Sequence, residues 1–163
     1  MPDRLVVSNT SPLLYLHQVG HLELLPRLYG RVLIPPAVRG ELRAGAELGV
    51  AVPDIEALGW LQVQPLRDTT LLPVVIDLGS GEAEAIALGV ANPGSLLILD
   101  DALGRRIAHL NGLTCTGTLG VLVKAKQQGL LPSVSPVIEA LRSTTMYLSQ
   151  TLIEMVLREA EEA

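Results

Sequence analysis

The amino-acid sequence predicts an α/β fold, built on an open sheet of parallel strands with helices packed against it. Short apolar or β-branched segments alternate with longer segments of helical periodicity. None of the short segments alternates cleanly between apolar and polar residues, and this is typical of strands covered on both faces. The repeated strand–helix–strand order indicates parallel pairing through right-handed crossovers.

Five segments are predicted to be strands. Each contains four or five residues, and together they cover 4–8, 31–34, 60–63, 95–99 and 113–116. Because Phe is absent and aromatic residues make up only 2% of the chain, the core around them must be built from Leu, Val, Ile and Ala.

The segments between the strands are predicted to be helices. Gly20 divides the first of them into a pair over 11–19 and 21–28, and Pro35 suits the first turn of the next, over 35–48. Further helices are predicted over 54–59, 81–91, 101–111, 119–128, 136–142 and 147–161. Residues 65–79 show no clear pattern, so we expect a loop there with one extra turn.

Length and composition set the class of protein. A chain of 163 residues buries roughly two thirds of its surface, enough for one core. We therefore expect a single domain over 1–163, in which 133–163 form a C-terminal helical extension. A hydrophobic fraction of 48% against 18% charged residues excludes a disordered chain. With no targeting segment and no apolar run long enough for a membrane span, we expect a cytoplasmic protein without a membrane partner.

Charge and residue usage exclude several functions. The formal net charge of −5 disfavours a binder that coats nucleic-acid phosphates with cations, so any nucleic-acid chemistry needs a local basic patch or bound metal ions. The scarcity of aromatic rings argues against RRM or OB-type binding of single strands. The one cysteine, Cys115, excludes a disulfide framework and a cysteine-based zinc cluster.

Polar side chains follow three of the predicted strands. Asn9 and Thr10 follow the first strand, Asp100 and Asp101 the fourth, and Thr118 the fifth. The carboxyl ends of parallel strands meet at one edge of a sheet, where ligands bind in open α/β folds. Each of these residues could instead cap the following helix. A single cap needs one aspartate, however, and two carboxylates about 4 Å apart repel by roughly 4 kcal/mol, a cost that a cation relieves.

Two glutamates complete the predicted acidic cluster. Glu82 lies on the apolar face of its helix and Glu41 borders the apolar stripe of another, whereas Glu84 points away and is predicted to be solvated. The alternatives are a helix-dipole role for Glu82 and a surface ion pair of Glu41 with Arg39 or Arg43. All-oxygen ligands favour Mg²⁺ or Mn²⁺. The candidate cluster contains Glu41, Glu82, Asp100 and Asp101.

Other candidates have weaker support. His17 and His21 have the i,i+4 spacing of half a metal site, but a glycine lies between them and no third ligand is near in sequence. Arg105, one turn after the aspartate pair, is well placed to meet a phosphate, whereas Lys126 is predicted to be an ordinary solvated charge. The C-terminal helix has an apolar stripe that either packs on the flank of the sheet or contacts a partner. The stripe contains Leu148, Leu152, Met155 and Val156.

Taken together, these motifs resemble the PIN-domain family, in a PIN-like subgroup of unknown function related to VapC-type toxin ribonucleases. The resemblance covers residues 4–132, and the ordered set of motifs is more specific than any one of them. The motifs are VVSNTSPL at 6–13, IPPAVRGEL at 34–42, LGSGEAEA at 78–85, LILDD at 97–101 with Arg105 and Arg106, and GTLGVL at 117–122 continuing to Leu131.

The resemblance implies a three-layer α/β/α fold with a five-stranded parallel sheet. It also implies a Mg²⁺- or Mn²⁺-dependent endoribonuclease, often the toxin of a toxin–antitoxin pair and often a homodimer. Residue by residue, the acidic site would be Asn9, Glu41, Glu82 and Asp101, with Asp100 beside it. From this site we expect metal ligation by Asn9, Glu82, Asp100 and Asp101. We expect catalysis by Glu41, Glu82, Asp100 and Asp101, and binding of the RNA substrate by Thr10, Arg105 and Thr118. Family members usually have aspartate at position 9, and the asparagine here brings an oxygen ligand but no charge.

Two other classes of function stay open. The first is a catalytically weakened PIN-like module that binds nucleic acid or protein, with Asn9 as the mark of its altered site. The second is a phosphoacceptor signalling domain, but that fold requires its acidic pair after the first strand and a lysine after the fifth. In this sequence the pair follows the fourth strand and the fifth ends in Thr116.

Overall fold

The structure, a computed structural model, describes residues 4–72 and 78–163. It contains a five-stranded sheet, in the order β3–β2–β1–β4–β5, in which all neighbouring strands are parallel. Helices cover both faces, and the predicted three-layer α/β/α fold is thereby confirmed. The strands are β1 (Val6–Ser8), β2 (Val32–Ile34), β3 (Leu61–Val63), β4 (Leu96–Ile98) and β5 (Thr114–Thr116).

The helices follow the predicted order, except that the helix predicted over 54–59 is only a 3₁₀ turn. They are α1 (Thr10–Gln18), α2 (Leu24–Tyr29), α3 (Pro36–Glu47), α4 (Ser80–Ala91), α5 (Ala102–Leu110), α6 (Thr118–Gln127), α7 (Ser135–Arg142) and α8 (Gln150–Glu159), with 3₁₀ turns at Ile55–Ala57 and Thr69–Leu71. The second turn is the one expected within the 65–79 loop, of which 73–77 lie outside the described residues. Within 4–72 and 78–163, no helix has both the length and the apolar character that crossing a bilayer requires.

The sheet separates two apolar clusters. Successive residues of β1 point to opposite faces, so Val6 belongs to the cluster formed with α1, α2, α3, α6, α7 and α8, while Val7 belongs to the cluster formed with α4 and α5. All three residues of β1, β2 and β4 are buried, whereas the edge strands β3 and β5 are partly exposed. The absence of alternation in the central strands therefore reflects helices on both sides.

Two helix ends differ from the sequence-based boundaries for local reasons. The left-handed backbone of Gly20 (φ +78°) ends the first helical stretch as predicted, but α2 begins only at Leu24. The last helix begins at Gln150 rather than at Tyr147, because the Ser149 hydroxyl oxygen accepts a hydrogen bond from the Leu152 amide at 3.1 Å and caps it.

The end of the chain is fastened to α6 and α7 by Glu162. This carboxylate accepts hydrogen bonds from the amides of Val134 at 2.7 Å and Ser135 at 3.1 Å, and from Lys126 Nζ at 3.0 Å. Lys126 also donates to the carbonyl oxygen of Ala160. The prediction that Lys126 is merely solvated is therefore wrong. We call these five residues the C-terminal lock.

The pKa of Glu162 reflects two opposing effects. Burial by itself raises the pKa of this carboxyl group. The Val134 amide, the charged Lys126 side chain and the Ser135 amide stabilise the ionised form, and together they outweigh burial and lower the pKa. The lock is thus held by a carboxylate that is ionised at neutral pH.

Candidate functional site

A cleft of about 710 Å³ opens at the carboxyl ends of β1, β4 and β5. Loops that follow parallel strands leave the sheet at this edge, so residues distant in sequence meet there. The predicted residues that line the cleft are Asn9, Thr10, Glu41, Glu82, Asp100, Asp101 and Arg105. We call it the acidic cleft.

One half of the acidic cleft is organised around Glu41. Its carboxylate accepts hydrogen bonds from the Thr10 hydroxyl at 2.7 Å and from the Gly81 amide at 3.1 Å. These bonds join the N-termini of α1 and α4 to α3. The alternative ion pair of Glu41 does not form, because Arg39 and Arg43 both bind Glu56 instead.

Asn9 lies beside Glu41 and has an unused oxygen. The backbone amide of Asn9 donates a hydrogen bond to the Ile98 carbonyl at 2.9 Å, which fixes Asn9 between β1 and β4. Its side-chain Oδ1 is buried and has no hydrogen-bond partner in the described part of the chain. A Cβ atom on Gly81 would lie 2.6 Å from both Glu41 carboxylate oxygens and 2.9 Å from Asn9 Oδ1. The glycine therefore leaves room for a small group between these oxygens.

The other half of the cleft is organised around Asp100. Its carboxylate accepts hydrogen bonds from the Thr118 amide and hydroxyl, both at 2.7 Å, and from the Ser11 hydroxyl at 2.8 Å. Thr118 is fully buried, so its hydroxyl is directed at Asp100 rather than into the open cleft. Ser11 was missed by sequence reasoning. A hydroxyl two residues after Asn9, at the start of the same helix, was the available signal.

Asp100 and Asp101 have different surroundings. Asp101 Oδ2 accepts a hydrogen bond from the Gly104 amide at 2.7 Å and caps α5, as one of the two aspartates was expected to do. Asp100 instead binds the first turn of α6. The two carboxylates thus stabilise the N-termini of different helices while lining the same cleft.

The two glutamates of α4 also separate. Glu82 lines the cleft, and its carboxylate folds back over Gly79 at the start of the helix. Glu84 Oε1 accepts a hydrogen bond from the Ala37 amide at 3.0 Å, in the first turn of α3. The prediction that Glu84 is merely solvated is therefore wrong, since it joins two helices.

The side of the cleft formed by α1 and the C-terminal region is mostly apolar, although Glu159 of α8 also lines it. Part of the predicted stripe on α8 faces it, and no sequence pattern indicated that residues before α8 would join it. We call this surface the apolar wall. It consists of Leu14, Tyr15, Met146, Tyr147, Leu152 and Met155.

A family model described as a PIN domain matches residues 5–162. The chain belongs to the PIN-domain family. Among solved structures, this PIN domain is similar to a PilT N-terminus domain protein from the hyperthermophilic archaeon Sulfolobus solfataricus P2, with 19% sequence identity and a TM-score of 0.53. That similarity covers 90% of this chain and 98% of the archaeal chain, and at this identity it concerns the fold. No curated protein matches this chain.

PIN domains are generally divalent-metal-dependent nucleases, so the fit of a cation to this cleft can be tested. Within residues 4–72 and 78–163, no three acidic, histidine or cysteine side chains lie close enough together to form a metal site by themselves. The buried, unpartnered oxygen of Asn9 next to the Glu41 carboxylate supplies a further hard oxygen donor. The structure therefore brings two hard oxygen donors together beside Gly81, with one charge fewer than an aspartate at position 9 would give. A divalent cation there would take its remaining ligands from Glu82, Asp100 and Asp101, which line the same cleft.

Cys115 of β5 and the neighbouring Arg105 also line the cleft. Burial raises the pKa of the Cys115 thiol, and the neighbouring Arg105 guanidinium opposes this rise only in part. Cys115 therefore stays a neutral thiol at pH 7 and is not a nucleophile or an anionic ligand. Arg105 is exposed at the cleft and pairs with no carboxylate among the described residues, so its charge is available to an anion.

Proposed function

We propose that this PIN domain is an endoribonuclease that hydrolyses RNA phosphodiesters with the help of Mg²⁺ or Mn²⁺. The observation that supports it is the buried, unpartnered oxygen of Asn9 in a cleft whose carboxylates are held by neutral donors. Glu41 and Asp100 form no ion pair with any described residue. Their charge is thus left for a cation.

Each cleft residue has a defined part in this proposal. The ion would be held by Asn9, Glu82, Asp100 and Asp101, whose carboxylates would have to draw closer together around it, and Glu41 lies beside Asn9. When bound, the ion lowers the pKa of a water molecule and stabilises charge on the scissile phosphodiester. Arg105 binds a phosphate oxygen of the substrate. Thr10, Ser11 and Thr118 keep the carboxylates in place through their hydroxyl groups.

Cleavage of a fluorogenic single-stranded RNA, with and without Mn²⁺, tests the proposal. We expect metal-dependent cleavage by the unmodified chain and a loss of at least about 100-fold in Glu82→Ala and Glu41→Gln, because each removes one carboxylate. Leu48→Ala is the matched control, since Leu48 is 84% exposed and lies away from the cleft. Cleavage without metal, or cleavage unchanged by the loss of Glu82, contradicts the mechanism.

The second candidate is a catalytically weakened PIN-like module that binds nucleic acid or protein. It is favoured by asparagine at position 9 and by the lack of three closely grouped acidic side chains in the described ranges. Calorimetric titration with Mn²⁺ separates the two candidates. A nuclease site binds the ion, and Asn9→Asp binds it more tightly because it adds a negative charge. A weakened site shows little heat before this substitution.

A toxin role, with an antitoxin protein as partner, and a homodimeric state are further parts of the proposal that follow from the family relationship. Expression of the unmodified chain and of Glu82→Ala tests the first, since a toxic nuclease arrests growth only when its acidic cleft is intact. Light scattering coupled to gel filtration tests the second, with a mass twice that of the single chain as the expected result.

A further inference from the structure

The acidic cleft joins two chemically different surfaces in one cavity. Four carboxylates and the amide of Asn9 line the end next to the sheet, and the apolar wall, together with Glu159, lines the end next to α8. The proposed metal chemistry uses only the first end and leaves the apolar wall without a part.

The apolar wall is exposed to an unusual degree for large hydrophobic side chains. Tyr147 is 85% exposed, Met155 49% and Leu152 38%. In the described part of the chain seven large hydrophobic residues are exposed, and these three line the same cleft. Scattered single residues of this kind are ordinary, whereas a group of them inside a cleft marks a binding surface.

The segment that carries Tyr147 is held in place by hydrogen bonds. The Thr144 hydroxyl donates to the Leu141 carbonyl at 2.6 Å and accepts from the Met146 amide at 3.2 Å. One residue further on, the hydroxyls of Thr145 and Tyr15 are hydrogen-bonded at 3.2 Å, which ties the segment to α1. The exposed ring of Tyr147 is therefore presented by a fixed backbone.

We propose that the apolar wall binds the base of a nucleotide next to the phosphodiester held in the acidic cleft, with Tyr147 stacking on that base. This inference rests on the proposed function and adds to it a subsite for one unpaired base of the RNA. Bases in a duplex are already stacked on each other, so only an unpaired base can lie against an aromatic side chain.

A nucleotide matches both ends of the cleft. It joins an anionic phosphate, which a cation among the carboxylates attracts, to a flat aromatic base, which packs against Tyr147 and Met155. A volume of about 710 Å³ lies in the range of cavities that hold small ligands. An apolar peptide or a second copy of this chain would cover the apolar wall but would leave the carboxylates without a partner.

Binding of a fluorescein-labelled single-stranded RNA, followed by anisotropy with Ca²⁺ in place of Mn²⁺ and with gel analysis to verify that the RNA stays intact, tests the inference. Tyr147→Ala is expected to weaken binding about tenfold, the change produced by losing one base–aromatic stack, while Tyr147→Phe keeps the ring and the affinity. A ribose–phosphate oligomer of equal length without bases has the same charge, and both variants should bind it as the unmodified chain does. Leu48→Ala is the control for loss of an exposed side chain.

Other outcomes overturn the inference. Unchanged RNA binding by Tyr147→Ala, or equal weakening for the oligomer without bases, excludes a base-binding role. If Tyr147→Ala lowers the molecular mass measured by light scattering but leaves RNA binding unchanged, the apolar wall is an interface between copies of this chain. Binding and cleavage are measured separately. Binding that depends on the bases, without any cleavage, contradicts the nuclease proposal and leaves the base site standing. Normal cleavage by Tyr147→Ala supports the nuclease proposal and contradicts the base site.

Discussion

The acidic cleft and the C-terminal lock both depend on carboxylates held by several hydrogen bonds, but the hydrogen-bond partners differ in charge. In the lock, Glu162 receives a lysine and two backbone amides. In the cleft, Glu41 and Asp100 receive only hydroxyls and backbone amides. A carboxylate with a cationic partner stabilises the fold, whereas carboxylates with neutral partners keep their charge for a ligand.

The different hydrogen-bond partners show how one small domain can use some carboxylates to stabilise its fold and others to form a reactive site. Neutral donors fix the position of a carboxylate without cancelling its charge. The cost is mutual repulsion in the cleft, which a bound divalent cation would relieve. The cleft is therefore the part of the molecule whose stability should depend on metal, and the lock the part that should depend on pH.

The largest expected effect is on catalysis, from removing one charge in the cleft. In Asp100→Asn the amide oxygen can still accept from Thr118, so the free energy of unfolding without metal should change by less than about 1 kcal/mol. RNA cleavage should fall by at least about 100-fold, because the metal loses an anionic ligand. Cleavage rates and urea unfolding of the same samples measure both. Full cleavage by Asp100→Asn would falsify the statement that the charge of the cleft carboxylates serves catalysis.

The second prediction removes the charge in the lock. Glu162→Gln should lower the free energy of unfolding by about 2 kcal/mol, because hydrogen bonds from Lys126 and two amides to a charged acceptor are weakened. Cleavage should be unchanged, since Glu162 does not line the cleft. Urea unfolding measures the loss, and Glu161→Gln is the neighbouring control. Equal stability of the two variants would show that the lock contributes nothing.

The third prediction concerns acid, and its sign follows from the lowered pKa of Glu162. The unfolded chain has the ordinary pKa of 4.5, so folding stability from this group is fully present above that pH. It is lost as the pH falls through the lower pKa of the folded state. Melting temperatures of the unmodified chain and of Glu162→Gln should therefore differ at neutral pH and converge as the pH falls from 4.5 through the lower pKa of the folded state. A difference that grows in acid contradicts this sign.

The smallest expected effect separates the two glutamates of α4. Glu84→Gln weakens one hydrogen bond to the Ala37 amide at the N-terminus of α3, so unfolding should become easier by about 0.5 kcal/mol. Cleavage should not change, whereas Glu82→Ala abolishes it. Thermal denaturation together with the RNA assay distinguishes the two residues. A loss of cleavage in Glu84→Gln would mean that the position of α3 controls the cleft.

Much of the fold could be predicted because its signals are local. All five strands were found in the right order, although each observed strand is shorter by one or two residues than its predicted segment. Each predicted strand begins one or two residues too early, and the fourth also ends one residue too late, because backbone pairing sets the strand ends and the residue types do not. The start of α8 was placed too early, since apolar residues precede the Ser149 cap. Capping decides a helix boundary more directly than hydrophobic periodicity does.

The candidate site was predictable in composition but not in its contacts. Strand order alone places Asn9 and Asp100 at one edge of the sheet. The hydrogen bonds that hold the cleft join residues 31 positions apart, from Thr10 to Glu41, and 89 positions apart, from Ser11 to Asp100. The role of Lys126 was misjudged for the same reason, because its partner Glu162 lies 36 residues away.

The sequence by itself determined the parallel sheet and the kinds of side chain at its carboxyl edge, because periodicity and strand-end chemistry are properties of neighbouring residues. Only the tertiary structure decided which carboxylates receive a cation and which do not, and only it brought Tyr147 to the same cleft as Asn9. Those outcomes depend on how segments far apart in the chain pack together. No local pattern encodes the distance between them.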